Sequence, residues 1–148
     1  MIYMLDTDTL ISMLRGLKPR QRPAPRRRAE RLVQRCRETR AAGDSVALSA
    51  VTVSELEFGA RNSGRYDTEI TAVHKILTPF DIHDYDGVAA PSEYGRIRHD
   101  LEREGLAIGS MDLLIAAHAL AIDATLVTSN LSHFSRVAEL RVMDWAAA

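Results

Sequence analysis

The sequence predicts an α/β domain, a mainly parallel sheet of four to five strands covered by helices on both faces. Three observations lead there. Short apolar runs of strand length alternate with longer segments of helical spacing along the whole chain. One of those segments, Met111 to Ile122, is almost entirely apolar and belongs in the interior. The chain has 148 residues, 46% of them hydrophobic and 26% charged, which suits one core and hardly two.

Each element has a local reason. Ile2 to Leu5 is a short apolar run that stops at Asp6, as a buried strand does. Asp6 or Thr7 can cap a helix whose apolar positions Leu10, Ile11, Leu14 and Leu17 recur at helical spacing. Lys18 to Pro25 holds three prolines and is expected to be irregular, with a second helix from about Arg26 to Ala42 that Gly43 ends. Val46 to Leu48 is the second strand. Ser49 or Thr52 caps a third helix containing Val53, Leu56 and Ala60, and a fourth helix covers Tyr66 to Leu77. Phe80 to Ile82 is a weak third strand. Asp86 to Glu104 is helical, started or kinked by Pro91, and Gly105 follows its end. Ser110 is expected to cap the buried helix. Thr125 to Thr128 and Leu140 to Met143 complete the strands.

Composition excludes several function classes. The N-terminal apolar run is too short for a secretory signal, and the longest apolar stretch, Leu113 to Val127, is broken by His118 and Asp123, so no membrane span is expected. The lone Cys36 excludes an internal disulfide and a cysteine-rich zinc site, and a cytoplasmic protein is the simplest account. The net charge of −1 hides an asymmetry. Arg15 to Arg40 holds eleven Lys and Arg against Glu30 and Glu38, a net of +9, and leaves −10 for the rest. A basic lobe beside an acidic body suits an enzyme that grips a polyanion and holds cations; a solvated arginine-rich loop and helix is the plainer alternative.

In open parallel sheets, ligands sit beyond the carboxyl ends of the strands. Asp6 ends the first strand with Asp8 beside it, and Thr128, Ser129 and Asn130 follow a later one. Asp112 lies in the first turn of the buried helix and Glu55 in the helix after the second strand. If these acids converge, like charges at ~4 Å repel by about 4 kcal/mol at an effective dielectric of 20, and protons or cations must offset that. Oxygen ligands alone suit Mg²⁺ or Mn²⁺. Singly, Asp6 could be only an N-cap, Asp112 a carboxylate favoured by the helix dipole, and Glu55 and Glu57 an exposed face. A lone His118 on an apolar helix reads as a hydrogen-bonded core residue before a metal ligand or base, and His133 as a surface or ligand-proximal side chain.

Four segments together resemble the PIN-domain ribonucleases, and within them the VapC-like toxins of toxin–antitoxin pairs. They are Tyr3 to Asp8, Leu48 to Ala60 (LSAVTVSELEFGA), Ile108 to Leu120 (IGSMDLLIAAHAL) and Thr125 to Val137 (TLVTSNLSHFSRV), in matching order across nearly the whole chain. The resemblance implies a three-layer α/β/α PIN-like domain over 1–148, with 18–28 a Pro/Arg-rich insert outside the shared core. It implies that Asp6, Glu55 and Asp112 bind the metal, Mg²⁺ or alternatively Mn²⁺, with Asp8 and Asn130 as further ligand candidates. Asp8 stands where Asn is usual. Asn130 fits a Thr-x-Asn variant, and His133 replaces an acid found in many relatives, so the fourth carboxylate is expected to be missing.

The implied activity is metal-dependent hydrolysis of RNA, leaving a 5′-phosphate and a 3′-hydroxyl. Thr128 and Asn130 would orient the water or the phosphate, and Arg26, Arg27 and Arg28 would meet flanking phosphates. Implied partners are tRNA, rRNA or mRNA, a VapB-like antitoxin and a second copy of the chain, with contacts over Thr52 to Leu77. Two alternatives are a PIN-fold RNA-binding module without cleavage and a structure-specific DNA nuclease.

Overall fold

In the computed structural model, which describes residues 1–147, five strands form one sheet. Ala148, the last residue of the expected domain, lies outside the described residues. The strands are β1 (Ile2–Leu5), β2 (Ser45–Ser49), β3 (Asp81–His83), β4 (Thr125–Val127) and β5 (Val142–Met143). Their order is β3-β2-β1-β4-β5, and every pairing is parallel. The helices are α1 (Thr7–Gly16), α2 (Pro23–Ala41), α3 (Ala50–Asn62), α4 (Tyr66–Leu77), α5 (Ala89–Arg103), α6 (Ser110–Ala121) and a short α7 (Leu131–Phe134).

Period-two alternation divides the core into two layers. Tyr3 and Leu5 of β1 join Val46, Leu48 and Val127 in a cluster with Leu10 and Met13 of α1, Leu32 of α2, Leu56 of α3 and Val73 of α4. Ile2, Met4 and Leu126 project into the other cluster, with Ile97 and Leu101 of α5 and Leu113 and Ile115 of α6. The sheet is therefore buried on both faces, as a parallel sheet requires. Among the described residues no helix is long and apolar enough to cross a membrane.

Several boundaries depart from the sequence reading. The expected irregular stretch ends early, because α2 begins at Pro23 and includes Pro25. Proline is tolerated in a helix's first turn, where the missing N–H has no intrahelical acceptor. What remains of the connection is a tight turn in which Arg20 takes a left-handed φ of 64°. Ser110 is the first residue of α6 rather than its cap; Gly109 holds the cap position and no side chain closes that end. The helix expected from Asp86 begins at Ala89, after Asp86 Oδ1 has accepted the Val88 N–H at 3.0 Å. The last strand is shorter than expected, and the one-turn α7 was not foreseen.

Candidate active site

The order β3-β2-β1-β4-β5 has one topological switch point. From β1 the chain builds outward through β2 to β3, then returns to lay β4 on the other side of β1. The crevice beyond the carboxyl ends of β1 and β4 is where such a sheet binds ligands. Asp6 follows β1 and Thr128 follows β4, so both stand in it.

Asp6 is 3% exposed and fully engaged. Its N–H donates to the Val127 carbonyl at 3.0 Å, which extends the β1–β4 ladder by one bond. Its Oδ1 accepts the Thr9 N–H at 2.8 Å, the N-cap of α1, and its Oδ2 accepts the Thr128 hydroxyl at 2.5 Å. The Thr128 oxygen in turn accepts the Asn130 N–H at 2.9 Å. One buried hydroxyl thus ties the carboxylate of the first strand to the backbone beyond the fourth.

Glu55 reaches the same pocket from α3. Its Oε1 accepts the Thr7 hydroxyl at 2.6 Å, and Thr7 and Thr52 share a hydrogen bond at 3.0 Å. Thr7 has a single proton and gives it to Glu55, so Thr52 donates to Thr7. Asp112, in the first turn of α6, is half-buried, with its Oδ2 4.0 Å from His133 Nδ1. That ring nitrogen accepts from Asn130 Nδ2 at 2.9 Å.

Electrostatics shows that the acids feel one another. Burial pushes the Asp6 carboxyl above its ordinary value, against the downward pull of the Thr128 and Thr9 hydrogen bonds, and the Asp8 charge adds to the rise. Asp112 is raised by burial, then by Asp8 and Asp6, with His133 opposing and Glu55 adding. Asp8 is exposed, and its charge acts on both Asp6 and Asp112.

The donor set suits a hard cation. Four carboxylates and two hydroxyl-bearing side chains supply oxygen alone, and mutual repulsion favours a positive ion among them. Among the described residues, no three His, Cys, Asp or Glu side chains stand close enough to enclose an ion by themselves. Mg²⁺ does not need such a cage, since it keeps several waters and binds through one or two carboxylates.

Other candidates lie elsewhere. Glu57, on another side of α3, accepts the Tyr66 hydroxyl at 2.8 Å and faces α4. His118 is a core residue, 0% exposed, with Nδ1 2.7 Å from Ser49 Oγ; burial, then the His83 charge, lowers its pKa, so it is neutral near pH 7. Arg26 is half-buried and donates Nη2 to the Lys18 carbonyl at 2.7 Å, while Arg27 and Arg28 are exposed. Sequence reasoning missed the Thr7–Thr52 pair as a support for Glu55. The available signal was Thr52 three residues before Glu55, one turn along the same helix.

The family model described as PIN domain matches residues 3–140. The chain is 35% identical over 108 residues to the Rickettsia felis protein "Ribonuclease VapC2", covering 73% of this chain and 80% of that one. It is 32% identical to the Shigella flexneri "tRNA(fMet)-specific endonuclease VapC", over 97% of this chain and 98% of that one. Among solved structures, VapBC2 from Rickettsia felis bound to a DNA fragment from its promoter superposes with a TM-score of 0.85. There the identity is 30%, covering 98% of this chain and 99% of that one.

Proposed function

The chain belongs to the PIN-domain family, and we propose that it is a VapC-type endoribonuclease whose Asp6, Glu55 and Asp112 hold Mg²⁺, with Mn²⁺ as a substitute. What supports this reading of the site is that Asp6 stands at the sheet's switch point and that Asp112 feels the charges of Asp8, Asp6 and Glu55. The enzyme is the toxin of a VapBC pair and has a VapB-like antitoxin as its partner. Its substrate is RNA. The Shigella relative's name makes tRNA the first substrate to test.

When bound, a divalent cation acidifies a water and offsets charge on the phosphodiester. The protein's own residues position the reactants. Thr128 favours the ionised form of Asp6 against the effect of burial and anchors the Asn130 backbone, leaving the Asn130–His133 pair beside Asp112 to orient water or a phosphate oxygen by hydrogen bonding. Thr7 and Thr52 fix the Glu55 carboxylate toward the same space. In-line attack of water on the phosphorus breaks the bond to the 3′-oxygen, so a 3′-hydroxyl and a 5′-phosphate remain.

Location in the cytoplasm and self-association belong to the same reading. Antitoxin or dimer contacts are proposed over Thr52 to Leu77, a stretch in which Phe58 is 70% exposed. The test is cleavage of tRNA in Mg²⁺, in excess EDTA and after Mg²⁺ is restored, beside Asp112→Asn. Loss in EDTA, recovery on restoration and loss in the variant are expected. Full activity in EDTA overturns the metal, and full activity of folded Asp112→Asn overturns the residue assignment.

A further inference from the structure

The +9 segment folds into a turn and helix that enclose something more specific than a charged face. Between α1 and the start of α2 lies an open cavity of about 470 Å³. Arg15, Arg22, Arg28 and Arg31 line it together with Ser12 and Gln21, and no carboxylate does. None of these four arginines forms an ion pair among the described residues.

Local structure holds the arginines in place. Gln21 accepts the Arg22 N–H at 2.9 Å and donates to the Arg15 carbonyl at 3.0 Å, which fixes the turn. Arg31 donates Nε and Nη2 to the Ala146 carbonyl at 3.3 and 3.0 Å, leaving its other donors for a ligand. A Cβ at Gly16 would meet the Ala29 Cβ and the Pro25 carbonyl oxygen at 2.5 Å each, so the two helices approach as closely as only glycine permits. Four like charges around one cavity repel, and an anion relieves them. Pro23 and Pro25 have no N–H to offer, so recognition falls to guanidinium forks, whose planar donors match phosphate oxygens.

Position relative to the acids identifies the anion. Asp8, Ser12 and Arg15 fall at i, i+4 and i+7 on one face of α1. A rise of 1.5 Å per residue puts Arg15 about 10 Å along the helix from Asp8. A stacked strand advances about 3.4 Å per nucleotide, so this span is roughly three nucleotides.

We propose that the α1–α2 cavity is a phosphate subsite for the RNA strand, in which Arg15, Arg22, Arg28 and Arg31 hold a backbone phosphate roughly three nucleotides from the scissile one. The proposal rests on the endoribonuclease reading above. It narrows the work expected of Arg26–Arg28, since of the three only Arg28 lines the cavity.

The test compares Arg22→Gln/Arg28→Gln with a charge-matched control on other surfaces, Arg37→Gln/Arg103→Gln. Binding of labelled tRNA to the full chain is read by anisotropy in EDTA, so the result does not depend on cleavage. The cavity variant is expected to weaken binding about tenfold more than the control and to flatten the log Kd against log salt slope by about 0.7, the value of one phosphate contact on a single strand. In Mg²⁺ it should raise KM for tRNA more than the control does. Equal weakening by both variants, or unchanged affinity with a wild-type melting temperature, overturns the subsite. So does normal RNA binding with lost antitoxin binding, which would make the cavity a protein contact. Failure of the wild type to cleave any RNA would instead defeat the enzyme reading, and the binding comparison would still decide the cavity.

Discussion

Replacing Thr128 by valine removes one hydroxyl from the centre of the acidic site and keeps the side chain's shape. Thr128 is 0% exposed; its oxygen donates to Asp6 Oδ2 at 2.5 Å and accepts the Asn130 N–H at 2.9 Å. A hydrogen bond to a charged group contributes about 1.5–3 kcal/mol, and a neutral one about 0.5–1.5 kcal/mol. Because Asn130 is only half-buried, water can recover part of the second, and a net loss of about 2–3 kcal/mol is expected. For a domain of this size each kcal/mol moves the melting temperature by about 2–4 °C, so the valine variant should melt about 4–12 °C lower at neutral pH in EDTA. The loss should shrink in acid, because the Thr128 bond favours the ionised carboxyl and matters less once Asp6 is protonated. Cleavage should fall, and the acid limb of its pH profile should move to higher pH, since the largest downward pull on Asp6 is gone. Thr128→Ser, which keeps the hydroxyl, should restore most of both. A valine variant that melts within about 1 °C of wild type and cleaves normally would refute the coupling of β4 to the carboxylate.

Asp6→Asn should abolish cleavage and remove the stability that the metal-free wild type gains in acid, because the amide keeps the Thr9 cap but does not titrate and turns its NH2 toward the Thr128 hydroxyl. The sign follows from a folded pKa raised above the ordinary 3.8. Asp6 and Asp112 then bind more protons folded than unfolded, and wild-type stability rises as pH falls through the raised values toward 3.8. Melting curves in EDTA across that window should show wild type gaining stability relative to the variant as pH falls, and a relative loss there would contradict it. Gly16→Ala should destabilise, since the new Cβ lands 2.5 Å from the Ala29 Cβ and the Pro25 carbonyl oxygen. Overpacking of about 1–3 kcal/mol outweighs the up to about 1 kcal/mol of helix propensity that alanine returns. Urea denaturation with an unchanged midpoint would show that α2 can shift freely.

The candidate site was legible wherever its signal is local. An apolar run that stops at Asp6 marks a strand end, and an apolar helix with Asp112 in its first turn marks a buried α6. Alternation of strand and helix implies a parallel sheet with its ligands at the carboxyl ends. Those are properties of neighbouring residues, so periodicity carries them. Proline counting misled at Pro23 and Pro25 because the same residue breaks a helix interior and suits a first turn, and composition does not say which turn is first. Tertiary structure alone decided that β4 returns beside β1, which brings Thr128 within 2.5 Å of Asp6 across 122 residues of sequence. It also decided that Thr7 and Thr52 support Glu55, that the Asp8 charge acts on Asp6 and Asp112, and that the arginine run divides between the Lys18 carbonyl and a cavity. The physical reason is one of range. Propensity and capping act within a turn or two, whereas a charge's surroundings are set by whichever distant segments the sheet order lays beside it.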